Sequence, residues 1–397
     1  MQKKARWIII VLIVLMIGAL AAYFLRKEIA QQAFTPTKTS VSQGVGAQKV
    51  LVPEEIAAGG TGQQEKSIPA PEVEIVAENL QIPWEIAFLP EGDFLITERP
   101  GTLKRIGKNG LVISIEGVVH RGEGGLLGMT LHPRFHENQY LYLYFTTRAM
   151  SGLQNRIERY RLEGAALTDR TMIIDRIPGA PNHDGGRIAF GPDGLLYVTT
   201  GDAQNSALAQ DKNSLAGKIL RVRDDGSIPS DNPFGNAVYS YGHRNVQGIA
   251  WDDTGRLWAT EHGRSGVLSG YDELNFIEKG KNYGWPDIQG DEQKEGMIAP
   301  IINSGAKETW APAGAAYYKG SIFFGGLRGE ALYEARLEGE KVKDLKMHFR
   351  QQYGRIRAVV IGPDGFLYLT TSNTDGRGKP KPGDDKIVKI NPVVFRR

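Results

Sequence analysis

Residues Asn182 to Asp202 read NHDGGRIAFGPDGLLYVTTGD, and three signals share that one stretch. His183 stands in a glycine-rich turn. Gly191-Pro192-Asp193-Gly194 then reverses the chain, because Pro pre-sets φ in a turn and Gly accepts the positive φ that closes it. LLYVTT follows, rich in the β-branched and aromatic residues that suit a pleated surface, and it delivers Asp202 directly after Gly201. The stretch predicts a short extended segment with an imidazole at one end, a carboxylate at the other and a chain reversal between them. A carboxylate that orients and charges an imidazole is what a general base requires.

The cycle of turn, apolar strand and small or charged exit recurs along the chain. It reads FLPEGDFLITERPG from Phe88, LHPRFHENQYLYLYFTT from Leu131 and FGPDGLLYVTTGD from Phe190. It returns as AWDDTGRLWATEHG from Ala250, YYKGSIFFGGLRG from Tyr317 and IGPDGFLYLTTSN from Ile361. Six copies at intervals of roughly 43 to 67 residues fall within or somewhat beyond the spacing of propeller blades. No stretch sustains a helical period. Four-stranded sheets repeated around an axis leave only short, protected edges. The expected fold is therefore all-β, a six-bladed β-propeller. Insertions between copies, such as Asp211 to Asn236, are expected to form loops around a pocket at the channel mouth.

Ahead of the repeats the chain has a different character. Met1 to Arg6 is basic, and Trp7 to Leu25 is apolar and closed by Arg26 and Lys27. About 19 apolar residues just span a bilayer as a helix, and the leading positive charge favours a cytoplasmic N-terminus. Ala19-Leu20-Ala21 offers a competing signal-peptide cleavage site. Either way the body of the protein is exported, anchored to the cytoplasmic membrane if the segment is kept and secreted if it is cut. Residues 28–72 are rich in Gln, Thr, Ser, Gly and Ala and read as a flexible tether. The expected division is anchor 1–27, linker 28–72 and propeller 73–397.

With 48 basic and 45 acidic side chains the chain is close to balanced, and no basic stripe suggests nucleic acid. It contains no Cys, which excludes disulfides, thiolate metal sites, a cysteine nucleophile and a Cys-x-x-Cys-His haem attachment. The strand exits carry charge of a particular kind. In a propeller corresponding strand ends converge, so one mouth should gather Arg244, Arg328, Arg355 and Arg357 with His183, Asp202 and His262. That density of guanidinium groups implies a ligand with carboxylates or phosphates, which the planar fork binds bidentately.

GEGGLLGMTLHPRF, NHDGGRIAFGPDG, AGKILRVRDDGSIP, YGHRNVQGIAW and DELNFIEKGKNYGWP occur in that order. Together they resemble the soluble quinoprotein glucose dehydrogenases, and more closely their aldose and sorbosone dehydrogenase relatives. These enzymes use pyrroloquinoline quinone (PQQ) and calcium. The resemblance runs from about Val73 to Pro392. It implies that His183 is the base for the sugar C1 hydroxyl, that Asp202 holds and charges it, and that Arg244 stabilises anionic charge on the quinone. Asn245 would border the cofactor, His262 would touch its edge, and Thr309, Arg328, Arg355 and Arg357 would hold its carboxylates. Backbone carbonyls of Gly263 and Arg264 would bind calcium, and Glu123 would face the sugar. Arg328 stands where well-known relatives have lysine, and His262 where some have glutamine. Residues 303–307 lack the aromatics that cover the sugar in the glucose enzymes.

The implied function is oxidation of aldoses at C1 to lactones, with electrons passed to an external quinone or cytochrome. A non-catalytic extracellular binding propeller and a calcium-dependent sugar lactonase are the alternatives. The latter needs a central metal held by several carboxylates, where the strand ends offer arginines. Trp310 is a candidate lining of the sugar pocket. Trp84, Trp251, Trp258 and Trp285 are expected to pack in the core or between blades, His243 to pack beneath Arg244, and His132 and His136 to be structural.

Overall fold

The computed structural model describes residues 72–108, 110–150, 152–265 and 270–396. The anchor expected over 1–27 and nearly all of the linker lie outside the described residues. Among the described residues no helix is long and apolar enough to cross a membrane.

Six four-stranded antiparallel sheets make up the fold. The first strands of the blades are Pro83–Phe88, Leu126–Leu131, Ile188–Phe190, Val246–Trp251, Pro312–Tyr318 and Ile356–Ile361, and neighbouring blades contact one another in turn around an axis. The second strands are Phe94–Glu98, Tyr140–Ala149, Leu196–Thr199, Leu257–Glu261, Ser321–Gly326 and Leu367–Thr371. Each repeat of the sequence is thus the first hairpin of one blade. In the sixth blade the outer strand is Val73–Ala77, paired antiparallel with Ile387–Ile390, so the start of the domain closes the ring. Among the described residues helix is confined to the short segments Phe135–Asn138, Ala207–Gln210 and a 3-10 turn at Pro392–Arg396. The six-bladed propeller is the fold that the repeats predict.

The repeat also persists at the level of side chains. In blade three the Asp193 carboxylate accepts from the Leu195 backbone (3.1 Å), the Tyr197 hydroxyl (3.0 Å) and Arg221 Nε on the third strand (3.0 Å). In blade six Asp364 accepts from the Phe366 backbone (3.2 Å), the Tyr368 hydroxyl (2.9 Å) and Lys389 (2.9 Å). An aspartate caps its own turn and then collects a tyrosine and a cation from the sheet it has folded. Between the blades lie apolar layers, such as Tyr142, Tyr144, Ile157, Val198 and Leu220 between blades two and three. Where inner strands crowd the axis only glycine fits. A Cβ on Gly248 would lie 2.3 Å from the Ala313 carbonyl oxygen.

The chain alternation fixes which ends face the site. First strands leave the mouth, the GPDG-type hairpins turn at the opposite face, and second strands return to the mouth. The stretch 211–236 departs from the expected single loop. It contains the third strand Lys218–Val222 of blade three, so its second half lies at the face away from the site. Of that stretch only residues 211–217 remain at the mouth.

Candidate active site

Strand Leu196–Thr199 carries Thr200, Gly201 and Asp202 into the mouth, where Gly201 bridges to Asn245. A Cβ on Gly201 would sit 1.9 Å from the His183 carbonyl oxygen, so glycine is obligatory at this crossing. Asp202 is buried, and its backbone N–H donates to the Arg244 carbonyl (2.8 Å). Its Oδ1 lies 2.8 Å from His183 Nδ1 and 2.8 Å from the Gln204 N–H, and its Oδ2 accepts from Trp285 Nε1 (2.9 Å). Burial alone would raise the Asp202 pKa, but the His183, Trp285 and Gln204 donors outweigh it and hold the carboxyl below its usual range. His183 adopts φ = 65°, the left-handed region that a non-glycine residue enters at a cost.

Arg244 approaches from the start of blade four. Its Nη2 lies 2.8 Å from His183 Nε2 and 2.7 Å from Ser265 Oγ, its Nη1 donates to the His262 carbonyl (3.3 Å), and the guanidinium lies 5.4 Å from the Trp285 ring centre. Below it the buried His243 joins Ser240 Oγ (2.9 Å) and Glu261 Oε2 (2.8 Å), and Glu261 Oε1 accepts the Arg244 backbone N–H. His243 therefore does lie beneath Arg244, and it acts through Glu261. Asn245 Oδ1 accepts from the Gly185 N–H (3.0 Å) and Gln247 Nε2 (3.2 Å), which ties blades three and four together.

The arginine rim is present and its members differ. Arg357 is buried, donates to Gln247 Oε1 (2.6 Å) and has no carboxylate within ion-pair distance among the described residues. Burial, with Arg99 and Arg355 nearby, pushes its pKa down to about 9. Arg355 is spent internally, on Asp375 (2.8 Å) and on the Leu327 and Ser372 carbonyls, so it buttresses the rim rather than offering an open fork. Arg328 stands exposed at the end of its strand. Two arginines beyond those expected join the rim. Arg99 is buried beside His120, and Arg377 reaches Glu123 (2.6 Å) and Asn182 (2.8 Å).

Three other expectations are revised. Glu123 turns one carboxylate oxygen to the His183 N–H (3.0 Å) and the other to Arg377, rather than presenting a free group to a sugar. The Trp310 ring is 5 % exposed and packs on Phe324 and Tyr333 between blades four and five, so it is core and not pocket wall. Trp285, read as packing, holds the Asp202 carboxylate. Asp272, the first residue of the DELNFIEKGKNYGWP motif, has a part beyond those the motif implies. Buried at the mouth, it accepts from the Gly263 N–H (2.9 Å), Thr309 Oγ1 (2.7 Å) and the Trp310 (2.7 Å) and Ala311 (2.9 Å) N–H groups. It clasps the turn at Gly263 and Arg264 to the segment 309–311.

His262 sits at the centre, between a recess lined by Arg244, Arg264 and Trp285 and one lined by Glu123, Asp184, Gln247 and Arg357. Four donors in this region have no hydrogen-bond partner among the described residues, namely Asn245 Nδ2, His262 Nε2, Arg264 Nε and Arg357 Nε. Buried polar groups left unpaired in a native fold call for an explanation, and a ligand rich in acceptors supplies one.

Residues 80–380 match the family model described as glucose / sorbosone dehydrogenase. The chain belongs to the glucose / sorbosone dehydrogenase family. It is 33% identical over 357 residues to the aldose sugar dehydrogenase YliI of Escherichia coli K12, covering 81% of this chain and 92% of that protein. Among solved structures, the PQQ-bound aldose sugar dehydrogenase of Streptomyces coelicolor superposes with a TM-score of 0.74 at 43% identity, over 80% of this chain and 97% of that one. A glucose dehydrogenase-type oxidoreductase from Thermus thermophilus gives 0.75 at 45% identity, over 80% and 98%. Membership makes this dehydrogenase an oxidoreductase, and the His183–Asp202–Arg244 constellation is its candidate reaction centre.

Proposed function

We propose that this chain oxidises aldoses at the anomeric carbon to lactones, with bound PQQ as the oxidant, calcium beside it and an external acceptor for the electrons. The observation that carries the reading is the convergence at one mouth of the His183–Asp202 pair with Arg244 and the unpaired donors. PQQ is a planar quinone with three carboxylates, and the donor set suits it. Arg357, which lacks a carboxylate partner among the described residues, offers a guanidinium for bidentate binding. Asn245 Nδ2, His262 Nε2 and Arg264 Nε add donors, with Thr309, Arg328 and Arg355 on the surrounding rim. Carbonyls of Gly263 and Arg264 are hard oxygen donors of the kind calcium takes, on a turn that Asp272 fixes.

When bound, PQQ supplies the quinone that takes up the hydride from C1, with calcium adding positive charge beside it. His183 Nε2 accepts the proton of the C1 hydroxyl, and Asp202 steadies the imidazolium that results. For Nε2 to accept that proton, Arg244 must release it, and the guanidinium charge remains near the reaction to stabilise developing anion. The aldose loses a hydride and a proton and becomes the lactone. Two electrons then leave with a quinone or cytochrome, since a chain without Cys carries no Cys-x-x-Cys-His haem attachment. The basic start and apolar run of the N-terminal segment support an exported, membrane-tethered enzyme.

The test is reconstitution of the purified protein with PQQ and Ca2+, an aldose panel and a dye acceptor, alongside His183→Ala. Dye reduction should require cofactor, calcium, sugar and His183. Tight cofactor binding with no sugar oxidised would sink the aldose assignment.

A further inference from the structure

One set of bonds at the mouth plays no part in the chemistry above. Arg377 follows the second strand of blade six, its N–H on Asp375 Oδ1 (2.9 Å). Its guanidinium crosses to two other segments, donating through Nη1 to Glu123 Oε1 (2.6 Å) and through Nη2 to Asn182 Oδ1 (2.8 Å). These partners are 254 and 195 residues away in sequence. Glu123 passes the connection on. Its Oε2 accepts the His183 N–H (3.0 Å), and its own N–H donates to the Pro181 carbonyl (2.8 Å). The turn 181–183 is thus fastened through backbone groups and through the side chain of Asn182.

That turn needs fastening. His183 lies at φ = 65°, a strained region for a non-glycine residue that persists only where the surroundings over-determine it. The base is therefore on a strained backbone whose N–H is held by a carboxylate, which is held in turn by a guanidinium. The charges suit the task. Burial would raise Glu123, but Arg377 and His262 more than offset it, and the carboxylate is held well below its usual range.

We propose that Arg377 is a positioning residue for the base, holding the turn 181–183 in its left-handed conformation through Glu123 and Asn182. It does not touch the reacting atoms. The proposal rests on the reading of His183 as the base. The Arg377 and Glu123 side chains are 43% and 17% exposed, so the pair sits within reach of dissolved salt and can be opened without unfolding a blade.

The experiment uses the full chain loaded with PQQ and Ca2+, with Arg377→Gln, Glu123→Gln, the double variant and Arg377→Lys. Hydrogen exchange of the His183 amide is followed in each, together with kcat, KM and PQQ affinity. Arg377→Gln should speed that exchange and lower kcat by roughly 10-fold with KM and PQQ affinity nearly unchanged, since misplacing a reacting group acts on the chemical step. Glu123→Gln should do the same. The double variant should be no worse than Arg377→Gln alone, because Glu123 acts on the turn through its bond to Arg377, while Arg377 also holds Asn182. Arg377→Lys should recover part of kcat. A rise in KM at unchanged kcat would make Arg377 a substrate contact and overturn the proposal. So would lost PQQ affinity, additive effects, or a His183 amide exchanging as in the parent. Should His183→Ala retain activity, the base assignment fails, and the exchange data still decide whether Arg377 holds the turn.

Discussion

His183 Nε2 lies 2.8 Å from Arg244 Nη2. Arginine can only donate, so Nε2 carries the lone pair in this state and the ring proton sits on Nδ1, facing Asp202 Oδ1 at 2.8 Å. The pair of contacts selects one tautomer, the one whose lone pair, here accepting from Arg244, is on the side of the mouth. His183 is thereby prepared as a base before any substrate arrives, and Asp202 is placed to steady its charged form.

Asp202→Asn tests that tautomer directly. An amide that turns its NH2 toward Nδ1 favours the opposite proton placement, so kcat should fall by roughly 10³–10⁴ with KM little changed. Steady-state kinetics on the PQQ-loaded variant measures it. A loss below about 10-fold would show that Asp202 is not orienting the ring.

Trp285→Phe removes the Nε1 donor on Asp202 Oδ2 while keeping an aromatic ring beside Arg244. Asp202 sits below its usual pKa because its donors outweigh burial, so losing one donor raises it. The acid limb of the kcat profile should move to higher pH, with kcat down about 10-fold at neutral pH for one charged hydrogen bond lost. An unmoved acid limb would separate Trp285 from the reaction centre.

Asp272→Ala should loosen two segments at once. It strips the acceptor from Thr309 Oγ1 and from three backbone N–H groups at Gly263, Trp310 and Ala311. Unsatisfied buried donors cost about 1–3 kcal/mol each before relaxation. A fall in melting temperature of about 5–10 °C is expected. PQQ affinity should drop with it, and added Ca2+ should restore less stability than in the parent. Melting curves with and without PQQ and Ca2+ measure all three.

Lys218 gives a pH signature away from the reaction centre. It is fully buried, and its Nζ lies within hydrogen-bond reach of the Leu208 (2.7 Å), Ala209 (3.0 Å) and Ala216 (2.5 Å) carbonyls, in the loop that follows Asp202. Burial pushes its pKa down to about 7, below the roughly 10.4 of an unfolded lysine. Between those values the unfolded chain binds more protons than the folded one. The contribution of Lys218 is therefore full above the unfolded value and is lost as pH falls through about 7, so stability rises with pH across the window. Denaturant titrations from about pH 7 to 10 should show that rise. Lys218→Met should abolish it and lower stability at every pH, because the buried carbonyls around Nζ lose its N–H donors.

The fold was legible because each blade repeats one local solution, an aspartate-capped turn followed by an apolar strand, as at Asp193 and Asp364. His183, Asp202 and Arg244 were legible because strand ends in a propeller converge, and the structure brings all three within hydrogen-bond reach. Side-chain partners were not legible, since they join residues far apart in sequence. Arg377 meets Glu123 across 254 residues, and Trp285 meets Asp202 across 83. For the same reason Arg355, Glu123 and Trp310 sit where expected along the chain while their side chains are committed elsewhere. Asp375 takes the first, Arg377 and the His183 N–H the second, and an inter-blade aromatic cluster the third. Lys218–Val222 was hidden in a polar stretch because KILRV is short and flanked by charge.

The most direct measurement is anaerobic mixing of the PQQ- and Ca2+-loaded protein with an aldose while the absorbance of the bound quinone is recorded. The parent should bind the cofactor and lose the oxidised-quinone absorbance in a single turnover, at a rate that depends on sugar concentration. His183→Ala should bind PQQ as tightly and keep that absorbance on the same timescale. Equal rates in parent and His183→Ala, or a parent that binds no PQQ, would contradict the account.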